Sequence, residues 1–518
     1  MFVMFEDNFF QQYTPRLKSC GNVCTILSVT LCFITVLTLL AIFAVDLTQK
    51  VHIVYIGGAA PKHITNEKFL SVALDASVIA NGFKHFDLKS EKVIKLMKAL
   101  SPAYLRIGGT MADRLIFSTT ESLHFKHLGP KVDGGECSYE ERYCDALNRP
   151  NFTMNSHEWL QLNELAQKTN LEIIFDLNSL RRFDDGAWDY TNAETLIRFS
   201  SQHNLNVNWE LGNEPNAYRH QFDYEVQPAQ LAHDFQTLRN ILQKYPLYQK
   251  SLVVGPDVTR PQNTNNQSRI YLSEFLKHGI DVIDAVTWHQ YYFNGATAKV
   301  GDFLDVRNFD VLQWQIDTIK DIVHKEGVKK IWLGETSSAY GGGAPHLSNR
   351  YIATFLWLDK LGLAAKNGLD VVIRQSIYAG NYALINCYYN PSPDWWVSIL
   401  YKKLVAPKVV ECRLGQSERV RLYCQFFGLN LHNRKAKIRF EGITPAKDLK
   451  VNAYVLTTVE RIDSRFIFLN NRLLQLNETH DVPNLLPVTI PADPYVEMPP
   501  FSLGFWVVPI TSNVLPYC

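Results

Sequence analysis

This sequence has almost no net charge: 52 Lys and Arg stand against 51 Asp and Glu, a formal balance of +1. So weak a field excludes a whole-molecule attraction to nucleic acid or any other polyanion, and an anionic ligand has to be gripped by a local patch. Low-complexity tracts and short internal repeats are also missing, which argues against a repeat architecture and confines disorder to loops. None of the nine cysteines stands at zinc-ligand spacing with histidines, so no metal site is expected. The segment Arg106-Ile-Gly-Gly-Thr110 does not match the Gly-rich phosphate turn of a doubly wound sheet, and no cofactor is implied.

Apolar material is plentiful, with 46% hydrophobic and 12% aromatic residues against 20% charged, so a sizeable core can be buried. At 518 residues the chain exceeds one compact core, and a large domain with a smaller partner is expected. From Val23 to Val45 runs a stretch of 23 residues without a charge. As a helix it reaches about 35 Å at roughly 1.5 Å per residue, enough to cross a bilayer. Arg16 and Lys18 precede it, which by the positive-inside rule makes residues 1–22 a cytosolic tail and the body lumenal or extracellular, a type II membrane topology. A long cleaved signal, cut near Ala41 or Ala44, is the alternative.

Lumenal exposure is indicated separately by three acceptor triplets for N-glycosylation, at Asn151, Asn266 and Asn477; a fourth, at Asn390, is spoiled by Pro391. Cys20, Cys24 and Cys32 lie in or beside the apolar segment, leaving Cys137, Cys144, Cys387, Cys412, Cys424 and Cys518. Six cysteines in an oxidising compartment allow about fifteen pairings, all of them open at this point.

Beyond a short strand candidate at Val51–Tyr55, strand and helix alternate. Apolar strand runs begin at Phe69–Asp75, Ala103–Ile107, Leu171–Phe175, Val207–Leu211, Leu252–Val254, Ala285–Trp288, Lys330–Leu333 and Val371–Arg374, with amphipathic segments between them. Near-continuous apolar strands read as a parallel sheet covered on both faces, and eight repeats read as a closed (β/α)8 TIM barrel over residues 67–405. After about residue 405 helical periodicity gives way to short strands, an appended β-sandwich over 406–518 to which residues 46–66 lend a strand. One connection, 117–156, is long, contains Cys137 and Cys144, and reads as a surface excursion.

In such a barrel chemistry sits at the C-terminal strand ends. Glu214 follows strand four in Asn208–Asn216, and Glu335 follows strand seven in Ile331–Thr336. A lone glutamate past a strand is most often solvated or structural. Two of them across a barrel mouth are what glycoside hydrolysis needs, one to protonate the leaving oxygen and the other to meet the positive anomeric carbon.

The fuller motifs resemble the heparanases, endo-β-glucuronidases of family 79 of the retaining glycoside hydrolases. Leu70-Ser-Val-Ala-Leu-Asp-Ala76, Leu100–Thr110, Asn208–Asn216, Gly255-Pro-Asp-Val258, Val286-Thr-Trp-His289, Trp332–Pro345 and Gly380-Asn-Tyr382 recur in the family's order, over about residues 50–518. The resemblance implies a barrel with a β-sandwich, a glycosaminoglycan substrate of the heparan sulfate type, Glu214 as general acid/base and Glu335 as nucleophile. It further implies that Asn213 contacts the sugar hydroxyl beside the anomeric carbon. Asp75, Thr110, Tyr340, Tyr382 and the amides near Gly341 and Gly342 would hold the glucuronate, with glycine at 341 and 342 because a side chain would obstruct the sugar. His289 and Tyr291 would line the cleft, Tyr291 orienting Glu335, although His289 taken singly reads as well as a packed residue. Glu210, inside strand four, reads as structural. A Cys424–Cys518 bond also follows from the resemblance, leaving Cys137–Cys144 and Cys387–Cys412.

The resemblance thins at the cations that flank such a cleft. The stretch Val258–Arg269 keeps only Arg260 and Arg269, residues 148–156 keep only Arg149, and Ala296 stands where a cation is usual, with Lys299 nearby. Three functions are therefore weighed: an endo-β-glucuronidase on heparan sulfate, an exo-β-glucuronidase on smaller glucuronides, and a catalytically silent member that binds glycan chains. Retention of both glutamates favours the first two.

Overall fold

Leu70–Asp75 and Ala103–Gly108 are buried at every position, as strands covered on both faces must be. The computed structural model describes residues 30–35, 51–56, 61–120, 129, 132–133, 136–137, 150–414, 418–441, 450–459, 461–491 and 495–507. Barrel strands one to eight are Leu70–Asp75, Ala103–Gly108, Leu171–Leu177, Val207–Leu211, Val254–Val258, Ala285–Gln290, Lys330–Thr336 and Val371–Arg374. They form one parallel sheet, and strand one pairs with strand eight in register, Ser71 opposite Ile373. The ring is nearly closed: between strands four and five only a bridge at Trp209 and Val253 spans the gap.

Strand alternation divides the side chains. Leu105 and Ile107 join the large core beneath the helices. Tyr104, Ile174, Val254, Trp332 and Ile373 instead fill the barrel interior, where the Tyr104 and Trp332 rings stack at 5.2 Å. Helices such as Ser156–Thr169 and Pro228–Gln243 cover the outside. The first of these opens on a reciprocal cap in which Asn155 and Glu158 each accept from the other's backbone N–H.

Two expectations from the sequence need correction. Strand five runs 254–258, not 252–254, because Gly255-Pro256 is part of the strand rather than its end. A Cβ at Gly255 would lie 2.4 Å from the Phe235 ring, so glycine is demanded by helix packing and not by a turn. The excursion 117–156 is not loop at its ends: Leu115–Ser118 and Phe152–Asn155 pair in parallel and shorten it to 119–151. At four residues each, they are too brief a signal to read as strand.

Past the barrel, one sheet joins Cys412–Leu414, Val51–Ile56, Ala436–Glu441 and Val496–Met498, and another centres on Phe427–Asn430, Ser502–Val507 and Lys450–Thr457. Val54, Leu422, Ile438, Val451, Met498 and Trp506 share a core cluster of their own. Phe427, Leu429 and Phe505 belong to the same continuous core as the barrel, and residues 52–518 form one compact unit.

Among the described residues no helix is long and apolar enough to cross a membrane. Of the expected segment 23–45 only residues 30–35 are described, and they are helical. Cys387 and Cys424 are disulfide-bonded. Cys144, Cys518 and the side chains of Cys137 and Cys412 lie outside what is described, and so do the expected pairings.

Candidate active site

Two residues beyond Tyr104 on the same face of strand two, Arg106 enters the barrel interior and is wholly buried. Its Nε donates to Glu210 Oε2 at 2.7 Å, its Nη1 to Glu335 Oε2 at 2.8 Å, and its Nη2 to Asp257 Oδ2 at 2.7 Å and Asn213 Oδ1 at 3.0 Å. One guanidinium thus ties strands two, four, five and seven together. The fork geometry makes this possible, since five donors radiate from one plane.

Glu335 owes its aim to an irregularity. The register between strands six and seven slips by one residue, so that Trp288 faces Leu333 and His289 faces Glu335. Gly334 is the extra residue, and a Cβ there would sit 2.6 Å from Asp257 Oδ1. Such a bulge redirects the side chain that follows it. The Tyr291 hydroxyl donates to Glu335 Oε1 at 2.6 Å, so both carboxylate oxygens accept from a donor.

Glu214 stands just past strand four in the left-handed region, φ 55° and ψ 53°, a conformation that a non-glycine residue adopts only when its surroundings enforce it. Its N–H donates to the Asp257 carbonyl at 3.2 Å. Its Oε1 lies 3.1 Å from His289 Nδ1, and its Oε2 accepts from Gln221 Nε2 at 3.1 Å. Asn213 is fixed from both sides, its N–H donating to Asp113 Oδ2 at 3.0 Å and its Oδ1 accepting from Arg106.

Burial opposes every charge in this cluster, so neighbours decide which charges persist. Burial would lower His289, but the carboxylates of Glu335 and Asp257 push it up to about 10, and it holds its proton at neutral pH. Burial would raise Asp257, but Arg106 and His289 keep it well below the usual carboxylate range. Burial does win at Glu210, pushed up to about 8 against the pull of Arg106, and at Asp176, raised by burial and then by Asp113. Two cations, Arg106 and His289, therefore face Asp257 and Glu335, while burial favours the neutral forms of Glu210 and Asp176 beside them. Oxygens of Asp176, Glu210 and Asp257 approach within 4.8 Å of one another, a spacing that could hold a metal, but the Arg106 guanidinium already takes up Glu210 and Asp257.

The residues expected around a sugar gather at the same end of the barrel. Asp75 is buried, its Oδ1 accepting from Ser77 N–H at 2.9 Å and its Oδ2 from Gln375 Nε2 at 2.8 Å. Thr110 opens the short helix that follows strand two. Tyr382 and Tyr291 stack at 6.3 Å, and Tyr340 is 42% exposed. Arg260 is not a free surface cation: its guanidinium donates to the Tyr291 carbonyl and lies 5.3 Å from the centre of the Tyr340 ring. Gly341, Gly342 and Gly343 all have positive φ, 73°, 81° and 86°. The space a Cβ would occupy at Gly341 holds no other protein atom, and the positive φ by itself favours glycine there.

Arg106, Asp257, Gln221 and Gln375 were not singled out from the sequence. Arg106 was within reach, since it follows Tyr104 with a period of two. Asp257 was hidden by the proline before it.

A (β/α)8 barrel with two glutamates converging past strands four and seven, each braced by buried donors, is the core of a glycoside hydrolase. Residues 74–362 match the model of "Glycosyl hydrolase family 79, N-terminal domain". The chain belongs to glycosyl hydrolase family 79. It is 35% identical over 497 residues to a heparanase of Gallus gallus, covering 88% of this chain and 94% of that one. To inactive heparanase-2 of Homo sapiens it is 31% identical, covering 86% of each. To a hyaluronoglucuronidase of Hirudo nipponia it is 32% identical, covering 79% of this chain and 88% of that one. Among solved structures, a 4-O-α-L-rhamnosyl-β-D-glucuronidase from Fusarium oxysporum superposes with a TM-score of 0.62 at 13% identity, covering 88% of this chain and all of the other, a likeness of fold.

Proposed function

We propose that this chain is a retaining endo-β-glucuronidase that cuts glucuronate-containing glycosaminoglycans of the heparan sulfate type. The single observation that carries the assignment is the convergence on His289: its side chain meets Glu214, while its backbone stands in register with Glu335. In this reading a Glu335 oxygen attacks the anomeric carbon while Glu214 passes to the departing glycosidic oxygen a proton that it shares with His289 at its Oε1. Water then gives a proton to Glu214 and attacks the same carbon, releasing Glu335 and restoring the configuration. The donors from Arg106 and Tyr291 suit Glu335 to carry negative charge until attack.

Glucuronate is the sugar this wall suits. Asp75, Thr110 and Asn213 offer partners for ring hydroxyls, while Tyr340, Tyr382 and the amides of Gly341 and Gly342 offer donors to its carboxylate. Relatives named heparanase and hyaluronoglucuronidase agree with an internal β-glucuronide bond. Kinship to inactive heparanase-2 favours a silent, chain-binding role, but binding alone requires neither glutamate.

The same proposal includes a type II membrane anchor at 23–45, resting on its uncharged length with Arg16 and Lys18 before it. Glycosylation at Asn151, Asn266 and Asn477 is favoured by their exposure, and disulfides 387–412 and 424–518 by the bonded state of Cys387 and Cys424. The deciding experiment incubates the purified lumenal part with heparan sulfate and sizes the products. Oligosaccharides of intermediate length are expected. Free glucuronic acid alone would replace endo by exo action, and chains bound but uncut at every pH would replace it by the silent role.

A further inference from the structure

The wall behind the glycine run has a second face. The Asn381 N–H donates to the Gly342 carbonyl at 2.6 Å, and Gly380 packs so close that a Cβ there would lie 3.1 Å from the same oxygen. On their other side Gly380 and Asn381 line a groove of about 1210 Å³, completed by the residues after strand eight and by the sandwich segment 465–480.

Its lining is one-sided in charge. Lys92, Arg350 and Arg465 line it, with His480 and with His346, whose Nδ1 lies 3.1 Å from the Arg350 guanidinium, and no aspartate or glutamate is among the described residues that do. In a chain whose charges otherwise cancel, this is a local positive patch. Asp481 is paired with Lys95 at 2.9 Å and Asp463 with Arg461 at 2.6 Å; their fields reach His480 and Arg350, but neither carboxylate lines the groove. Among the described residues Lys92 meets only neutral acceptors, Asn390 Oδ1 at 2.6 Å and the Tyr388 carbonyl at 3.1 Å, and burial lowers its pKa. An ammonium in that position gains from an arriving anion.

Two aromatic rings narrow the ligand. Tyr388 and Phe466, 44% and 53% exposed, line the same groove. Apolar rings beside cations suit an acidic sugar chain, whose C–H faces cover the rings while its anionic groups meet the cations.

We propose that this groove is an accessory subsite for a distal acidic segment of the glycosaminoglycan chain whose glucuronide bond lies at Glu214 and Glu335. The proposal rests on the glucuronidase reading for the identity of that chain, but not for the binding itself. It also accounts for the thinned cations around Arg260 and Arg269, because the grip on the polymer lies at Lys92, Arg350 and Arg465 instead. The shared Gly342–Asn381 contact connects the two places.

The test uses the full chain and the variants Arg465→Glu and Lys92→Glu, with thermal melting to verify folding. Affinity for a short heparin oligosaccharide is measured as salt is raised, in parallel with a hyaluronan oligosaccharide of equal length. By analogy with nucleic acids, each reversed cation should lower the slope of log affinity against log salt by about one or more and weaken binding about tenfold. The quotient of kcat/KM on heparan sulfate to kcat/KM on a small aryl glucuronide should fall with it. Tighter binding of heparin than of hyaluronan assigns the contact to sulfates, and equal binding assigns it to carboxylates. A folded variant with unchanged slope and affinity, or a wild-type chain that binds neither oligosaccharide, overturns the groove. A wild type that binds through Arg465 and Lys92 yet cleaves nothing upholds the groove and removes the glucuronidase reading instead.

Discussion

His289 Nδ1 lies 3.1 Å from Glu214 Oε1. That contact places a protonated imidazole against one candidate catalytic carboxylate, and the charge that keeps it protonated comes in large part from the other, Glu335. The two glutamates are thereby linked electrically through a residue that need not touch the sugar.

Glu335→Gln is expected to abolish turnover while heparan sulfate still binds, because an amide cannot form the glycosyl ester. Glu214→Gln should cost about 10²- to 10⁴-fold on natural chains, the usual worth of a general acid. On aryl glucuronides whose leaving group departs without a proton, the first step should be nearly spared. Steady-state kinetics on both substrate types decides, and near-normal turnover by Glu335→Gln would falsify the nucleophile assignment.

Tyr291→Phe removes the 2.6 Å donor to Glu335 Oε1 and little else. A hydrogen bond to a charged group contributes about 1.5–3 kcal/mol, so kcat should drop roughly 10- to 150-fold. The KM should move much less, since the sugar contacts persist. A KM effect larger than the kcat effect would place Tyr291 on the substrate instead.

Arg106→Met leaves Glu335 and Asp257 buried without their shared cation. Breaking one side of a buried ionic cluster typically destabilises by about 3–5 kcal/mol. Denaturant unfolding should show that loss in the midpoint, and Arg106→Lys should recover only part of it because an ammonium cannot reach four partners in one plane. A midpoint within error of the parent would show that the interior tolerates the bare carboxylates.

Stability should rise as pH falls from 8 to 5. Glu210 is pushed from 4.5 up to about 8, Asp113 from 3.8 up to about 6, and His289 from 6.5 up to about 10, so in each case the folded chain holds a proton more tightly than the unfolded one. What Glu210 and Asp113 contribute is fully present below their unfolded values and is lost as pH climbs through 6 and 8; the His289 share is lost only toward 10. Asp257, held low, acts in the opposite sense and costs stability only below about pH 4. Melting curves across this range should peak near pH 5, and Glu210→Gln should flatten the alkaline limb.

The mature protein should keep its first 45 residues. Amino-terminal sequencing of material purified from membranes is the check. A start near residue 45, with the protein in the medium, would replace the anchor by a cleaved signal.

Much of the barrel could be read because its strands are long apolar runs that need no tertiary context, as at Leu171–Leu177. Glu214 and Glu335 were equally accessible, because position past a strand end is a property of spacing. What escaped was whatever depends on irregularity: the bulge at Gly334 that turns Glu335 inward, and strand five continuing through Gly255-Pro256 to deliver Asp257. Glu210, read as structural, agrees with that reading as a buried partner of Arg106 inside strand four, but the partner itself is not given by alternation. Arg260, expected among the cations of the cleft, stands beside Tyr291 and Tyr340 within reach of the Glu214 charge, a placement that spacing alone does not give.

The reach of Arg106 also bears on how the chain comes to be folded during its synthesis. Its strand emerges early, at residues 103–108, yet the carboxylates that accept from it arrive at 210, 257 and 335. Until the last of these has left the ribosome, closing the interior would strand a guanidinium away from water with part of its complement missing. A nascent barrel truncated before strand seven therefore has reason to stay open and hydrated, and such truncated chains should depend on chaperones rather than dock as independent half-barrels.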